Sequence, residues 1–235
     1  MKIRGEQRVV WSFTGVTHNA QDLKCTKTRG ENNMELKYNL DEDATTDIKR
    51  MLVLATAEHY GQTRRDGETP YINHPVAVAE RVISYGGTES MVIIALGHDL
   101  VEDTAQTVRS LTAGFSEKIG EGVGMLSNNK FIQSTFPTKG DYLVAKMKPM
   151  PAEILLIKIC DVICNTEDLI EQDKSFAEKN LTKARIVIEG LFELIQAYGK
   201  REDSKELSLY EAFMDLMLTV DNVQEQLELK WASEE

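Results

Sequence analysis

The chain has 235 residues, 42% hydrophobic and 28% charged, which is enough for one substantial core; 15 glycines and 5 prolines are too few for a linker-rich chain. A formal net charge of −11 argues against a DNA or RNA binder, which needs a basic footprint, but allows a small phosphorylated ligand beside a bound cation. No run approaches the roughly 18 apolar residues of a membrane span, and the N-terminus has no secretory leader pattern, so the protein reads as cytoplasmic.

Residues 1–33 mix Gly, Thr, Asn and Trp without helical periodicity and read as a poorly ordered extension, with a short hairpin over 11–20 as the alternative. Residues 34–235 are expected to form the folded domain. From Thr45 the pattern turns helical, with Ile48, Met51, Leu52, Ala55 and His59 on one stripe. Asp66 and Gly67 open a loop that runs to Pro75, which suits the first turn of the next helix; Val76, Ala79, Val82 and Ile83 form its core face. Gly86 and Gly87 end that helix, and Thr88 can cap another. The following stretch, MVIIALGHDLVED, reads as one central helix, apolar on every side over its first turns. Two short helices are expected within 105–127, a polar loop over 128–140, and a helix over 141–148. Pro149 and Pro151 break the chain before a long helix that starts at Ala152. Helices near 175–199 and 205–227 complete an all-α bundle with no strand and no internal repeat. Cys160 and Cys164, one turn apart in an apolar run, read as buried thiols, and with Cys25 the count gives no disulfide framework.

Three segments carry residues that an ordinary helical bundle does not explain. In HDLVED, His98, Asp99, Glu102 and Asp103 crowd the end of an otherwise apolar helix, where the dipole disfavours acids. Imidazole with carboxylate is a natural ligand set for a divalent first-row metal. Asp161 lies inside EILLIKICDVICN, where an unpaired carboxylate would be costly. Lys158, Asp161, Asn165 and Asp168 share one face of that helix. A buried Lys158–Asp161 pair is the plain alternative to a metal site shared with His98 and Asp99. The loop GQTRRDGETPYINHP supplies His74, preceded by Arg64 and Arg65, whose forks and planes suit phosphates and bases. A merely basic surface loop is the alternative there.

Taken together, HYGQTRRDGETPYINHP, ALGHDLVEDT and IKICDVICN resemble the hydrolase domain of the RelA/SpoT family, with the small metazoan SpoT-like hydrolases most similar. The resemblance covers about residues 45–190. It implies an HD-domain helical bundle and hydrolysis of the 3′-pyrophosphate of guanosine penta- or tetraphosphate to GTP or GDP plus pyrophosphate. It further implies one Mn2+ per chain held by His74, His98, Asp99 and Asp161, with Glu102 and Asp103 activating and orienting water. Arg64 would pack on the guanine base, Asn165 would lie beside the ribose and phosphates, and Arg65 and Lys158 would join them in binding substrate. The chain departs from the family at Ser127–Lys130, where Thr-Lys is usual, and at Gly97, Val162 and Asp168. Asp168 brings an extra negative charge toward an anionic substrate, so an HD phosphohydrolase acting on another nucleotide and a non-catalytic nucleotide-binding domain remain as alternatives. After the motif region too little chain is left for a synthetase domain. A nucleotide is the expected partner, without nucleic acid or membrane, and homo-oligomerisation is left open.

Overall fold

The computed structural model describes residues 46–199 and 209–233, so the expectations for residues 1–33 and Cys25 fall outside it. The described chain is helical throughout. In order it runs α1 (Thr46–Glu58), α2 (Asn73–Ser84), α3 (Glu89–Gly97), α4 (Leu100–Asp103), α5 (Val108–Gly114) and α6 (Glu117–Leu126). It continues with α7 (Lys130–Gln133), α8 (Lys139–Met147), α9 (Ala152–Glu167), a 3-10 turn (Asp168–Glu171), α10 (Lys174–Gly199) and α11 (Leu209–Ala232). Among the described residues the only β pairing is an isolated bridge between Thr63 and Pro70, which closes the loop before α2.

The core is built around α9. Every residue from Ile154 to Cys164 is buried, because this helix packs against α2, α3, α6, α10 and α11 at once. The equally apolar α3 is buried from Met91 to Gly97, between α1, α2, α6 and α9. The departure at Gly97 has a packing reason. A Cβ there would lie 3.0 Å from Met51 Sδ, so the glycine lets α1 close onto α3. A leucine at that position would displace Met51. Val162 is one of the buried apolar residues of α9.

Four expectations are corrected. The helix carrying HDLVED is not continuous. His98 N–H bonds back to the Ala95 carbonyl in a tightened turn, and the Asp99 carbonyl then accepts from Glu102 and Asp103 to start α4. Thr88 has the extended backbone of a cap, but its buried hydroxyl makes no hydrogen bond. The polar stretch over 128–140 is not all loop: Asn129 caps the single turn α7, and Thr138 caps α8, which starts at Lys139. The long helix stops at Glu167, so Asp168 lies in the 3-10 turn that follows; Thr107 and Ser110 form a reciprocal capping box at α5, and Ser116 caps α6.

Candidate metal centre

The first turn of α2, the turn between α3 and α4, and the middle of α9 meet at one point in the bundle. His74 Nε2 lies 3.0 Å from Asp161 Oδ1 and 3.9 Å from Asp99 Oδ2. His98 Nε2 lies 3.0 Å from Asp99 Oδ2 and 3.7 Å from Asp161 Oδ1. His74, His98 and Asp161 are all buried, and their ligand atoms fall within 4.8 Å of one another, close enough to hold a divalent metal ion.

The donor set fits a cation. His98 Nδ1–H donates to the Ala95 carbonyl at 2.7 Å, which leaves Nε2 as the ring atom set among the carboxylates. That buried Nε2 has no hydrogen-bond partner, although Asp99 Oδ2 is near, because the two atoms are close without being aligned to share a proton. A ring nitrogen set among carboxylate oxygens is a place where a metal ion can take over from a proton. Burial disfavours the Asp161 carboxylate, but Lys158, His74 and His98 outweigh it and hold the group well below its ordinary range. Burial likewise works against Asp99, and His98 and His74 overcome it. Burial pushes the His98 imidazolium down, yet Asp99 and Asp161 raise it to about 10. His74 is held below its ordinary value by burial, with Asp161 opposing. The two carboxylates are thus kept ionised at a dry point beside two imidazoles, a donor set that suits a cation.

Lys158 realises the ion pair weighed from the sequence. Its Nζ donates to Asp161 Oδ2 at 2.7 Å, and its side chain is buried behind the carboxylate rather than facing outward. Asn165 donates to Asp161 Oδ1 at 2.6 Å and accepts from Arg64 at 3.0 Å, so it links the metal centre to the arginine loop. Arg64 also donates to Asp168 Oδ2 through Nε and Nη2, at 3.2 and 2.6 Å, and lies over the Tyr71 ring at 5.5 Å. The extra charge of Asp168 is therefore paired, and it pins one edge of the guanidinium. Arg65 turns toward α10, pairing with Asp173 at 3.1 Å and lying 3.9 Å over Phe176.

Glu102 and Asp103 stand on α4 just beyond the ligand cluster. Asp103 keeps much of its surface open, but the partial burial of its carboxyl, then the charges of Asp99 and Glu102, push it above the ordinary value. Three residues not singled out from the sequence complete the site. Tyr71 donates to Asp99 Oδ2 at 2.6 Å and approaches Asp103 Oδ2 at 3.3 Å; burial and Asp99 push its phenol far up, so it stays a donor. Tyr71 was visible in PYINHP only as part of the motif. Asn128, from the segment between α6 and α8, donates to Glu102, and Lys146 on α8 donates in turn to Asn128. Asn128 was noted only as a departure from the family, and Lys146 had no local signal.

A family model described as HD domain matches residues 52–185. The bifunctional (p)ppGpp synthase/hydrolase SpoT of Escherichia coli K12 is 35% identical over 102 residues, covering 42% of this chain and 14% of its own length. The guanosine-3′,5′-bis(diphosphate) 3′-pyrophosphohydrolase of Haemophilus influenzae is 33% identical over 123 residues, with 50% and 18% covered. The GTP pyrophosphokinase of Streptomyces coelicolor is 30% identical over 145 residues, with 60% and 16% covered. The chain thus spans less than a fifth of the length of these relatives. A solved structure described as a metazoan ortholog of SpoT that hydrolyses ppGpp aligns with a TM-score of 0.60 at 20% identity, covering 77% of this chain and 96% of that one. At that identity the likeness is one of fold.

Proposed function

The chain belongs to the HD-domain family, and from that premise we propose that it hydrolyses the 3′-pyrophosphate of guanosine tetra- or pentaphosphate, giving GDP or GTP and pyrophosphate. The observation that carries this reading is the meeting of His74, His98, Asp99 and Asp161 near an arginine held by Asp168, with Glu102 and Asp103 on the adjoining α4. The names of the relatives supply the substrate.

His74, His98, Asp99 and Asp161 would hold the metal, and a mixed imidazole–carboxylate set suits Mn2+. When bound, such an ion polarises a phosphoryl oxygen and lowers the pKa of water. Glu102 takes the proton as water attacks the phosphorus bonded to the 3′ oxygen; the P–O(3′) bond breaks, pyrophosphate leaves with the new P–O bond, and the 3′ oxygen takes up a proton from solvent to remain on GDP or GTP as a hydroxyl. Asp103, hydrogen-bonded by Tyr71, orients that water. Arg64, held by Asn165 and Asp168, would stack its guanidinium plane on the purine, with Asn165 at the ribose side. The exposed pair of Arg65 with Asp173 is weak, so Arg65 can leave it for a phosphate. Lys158 acts from behind, by keeping Asp161 ionised. The proposal needs a small nucleotide and no nucleic acid or membrane; no described helix is long and apolar enough to cross one. A cytoplasmic setting fits the free thiols Cys160 and Cys164.

The test is pyrophosphate release from ppGpp against a panel of nucleotides, with Mn2+ and with chelator. Metal-dependent turnover of ppGpp above the rest is expected. Turnover of another nucleotide with ppGpp untouched would overturn the substrate, and nucleotide binding without any turnover would make the domain a sensor.

A further inference from the structure

The segment between α6 and α8 carries no candidate metal ligand, yet it reaches Glu102 directly. Asn128 donates twice to Glu102 Oε2, from its backbone N–H and from Nδ2, both at 2.9 Å. Asn128 Oδ1 in turn accepts from Lys146 Nζ at 3.2 Å. Lys146, on α8, also donates to the carbonyls of Leu126 and Ser127, at 2.7 Å each, and so ties down the end of α6. An asparagine amide can face either way, but an ammonium has only donors to offer. Lys146 therefore fixes Oδ1 on its own side and turns Nδ2 toward Glu102. Both hydrogen bonds fall on one carboxylate oxygen, and Glu102 Oε1 takes none among the described residues. One oxygen is clamped and the other is left to meet water.

We propose that Asn128, oriented by Lys146, is the positioning residue for Glu102: the pair holds the carboxylate so that Oε1 points to the reacting water. This rests on the reading of Glu102 as the proton acceptor. It also gives the departure at Ser127–Lys130 a role, because residue 128 supplies an amide in this chain. Neither Asn128 nor Lys146 touches His74, His98, Asp99 or Asp161 in the structure, so loosening the clamp should leave metal binding intact. Misplacing a reacting group by about 1 Å costs on the order of a hundredfold in rate, and the backbone bond from residue 128 survives any side-chain change.

The test is a set of variants on the full chain loaded with Mn2+, read as kcat and KM for ppGpp, metal content, and amide exchange over residues 126–130. Asn128→Ala and Lys146→Met should each lower kcat about ten- to a hundredfold, with KM and metal content near wild type. Lys146→Met should speed amide exchange over 126–130, and Lys146→Arg should recover much of both. In a Glu102→Gln background, Asn128→Ala should cost nothing further, because its effect runs through Glu102. Undiminished kcat in Asn128→Ala, with Glu102→Gln strongly impaired, would overturn the positioning role and leave the base intact. An equal loss from Asn128→Ala in both backgrounds would show that it acts elsewhere. Near-normal turnover by Glu102→Gln would remove the base and the clamp together, and wild-type protein that leaves ppGpp intact would remove the parent reading. Should Lys146→Met fail to fold, Asn128→Ala and Lys146→Arg carry the decision.

Discussion

Asp161 shows how one side chain organises the centre. It is 6% exposed, yet it meets Lys158, His74 and Asn165 at 2.7, 3.0 and 2.6 Å. Removing its charge leaves Lys158 buried without a counter-ion, a loss of about 3–5 kcal/mol when one partner of such a pair goes. Asp161→Asn keeps the shape and some hydrogen bonds, so it is the variant to use beside Asp161→Ala. Both should lose most of the bound metal, measured by elemental analysis after gel filtration, with helical content retained in the Asn variant. A folded Asn variant with full metal content would show that the ion is held elsewhere. Asp161 was legible in the sequence because a charge inside ILLIKICDVIC conflicts with its neighbours, and such conflicts mark sites. His74, His98 and Asp99 were legible by motif. Lys146 was not, because its partners are main-chain carbonyls and one amide some 20 residues away along the chain, and no local pattern encodes such a contact.

At the level of elements, the periodicity located the long helices well, while the short pieces escaped it. A single turn such as α4 or α7 is too short to show a 3.6-residue period, and the break after Gly97 depends on where His98 finds its acceptor. That break places His98 and Asp99 in the turn between α3 and α4, with Glu102 and Asp103 on α4. The opposite end of the logic appears on α2. Glu80 lies on its partly buried side, and burial alone raises its carboxyl to about 8. The folded protein thus keeps this proton over a range where the unfolded chain, near 4.5, has released it. The stabilising contribution is complete below about 4.5 and is lost as pH rises toward 8. Glu80→Gln removes the ionisation, and after allowance for partial solvation should gain on the order of 2 kcal/mol at high pH. Its Tm should exceed wild type clearly at pH 8.5 and little or not at all at pH 4.5. An equal difference at both values would mean that Glu80 titrates as an ordinary surface carboxylate.

At the scale of the molecule, a chain of net charge −11 must still receive a highly anionic ligand. Positive groups that could do so lie beside the site: Arg64 and Arg65 on the loop before α2, next to the point where His74, His98 and Asp161 could hold a divalent cation. All the residues proposed to act lie between Arg64 and Asn165, and the family match begins at residue 52. The described residues from Thr46 onward belong to one compact unit, whose core already contains Ile48, Met51 and Ala55 of α1. Residues 1–33 should therefore be dispensable for the chemistry. A chain beginning at Met34 is expected to match the full chain in Tm, metal content and kcat for ppGpp, measured side by side. Loss of Tm would show that the N-terminal residues contribute to the core. A chain from Met34 that folds and binds metal fully, but no longer turns over ppGpp, would assign those residues a part in substrate capture, and the boundary of the working domain would have to move toward the N-terminus.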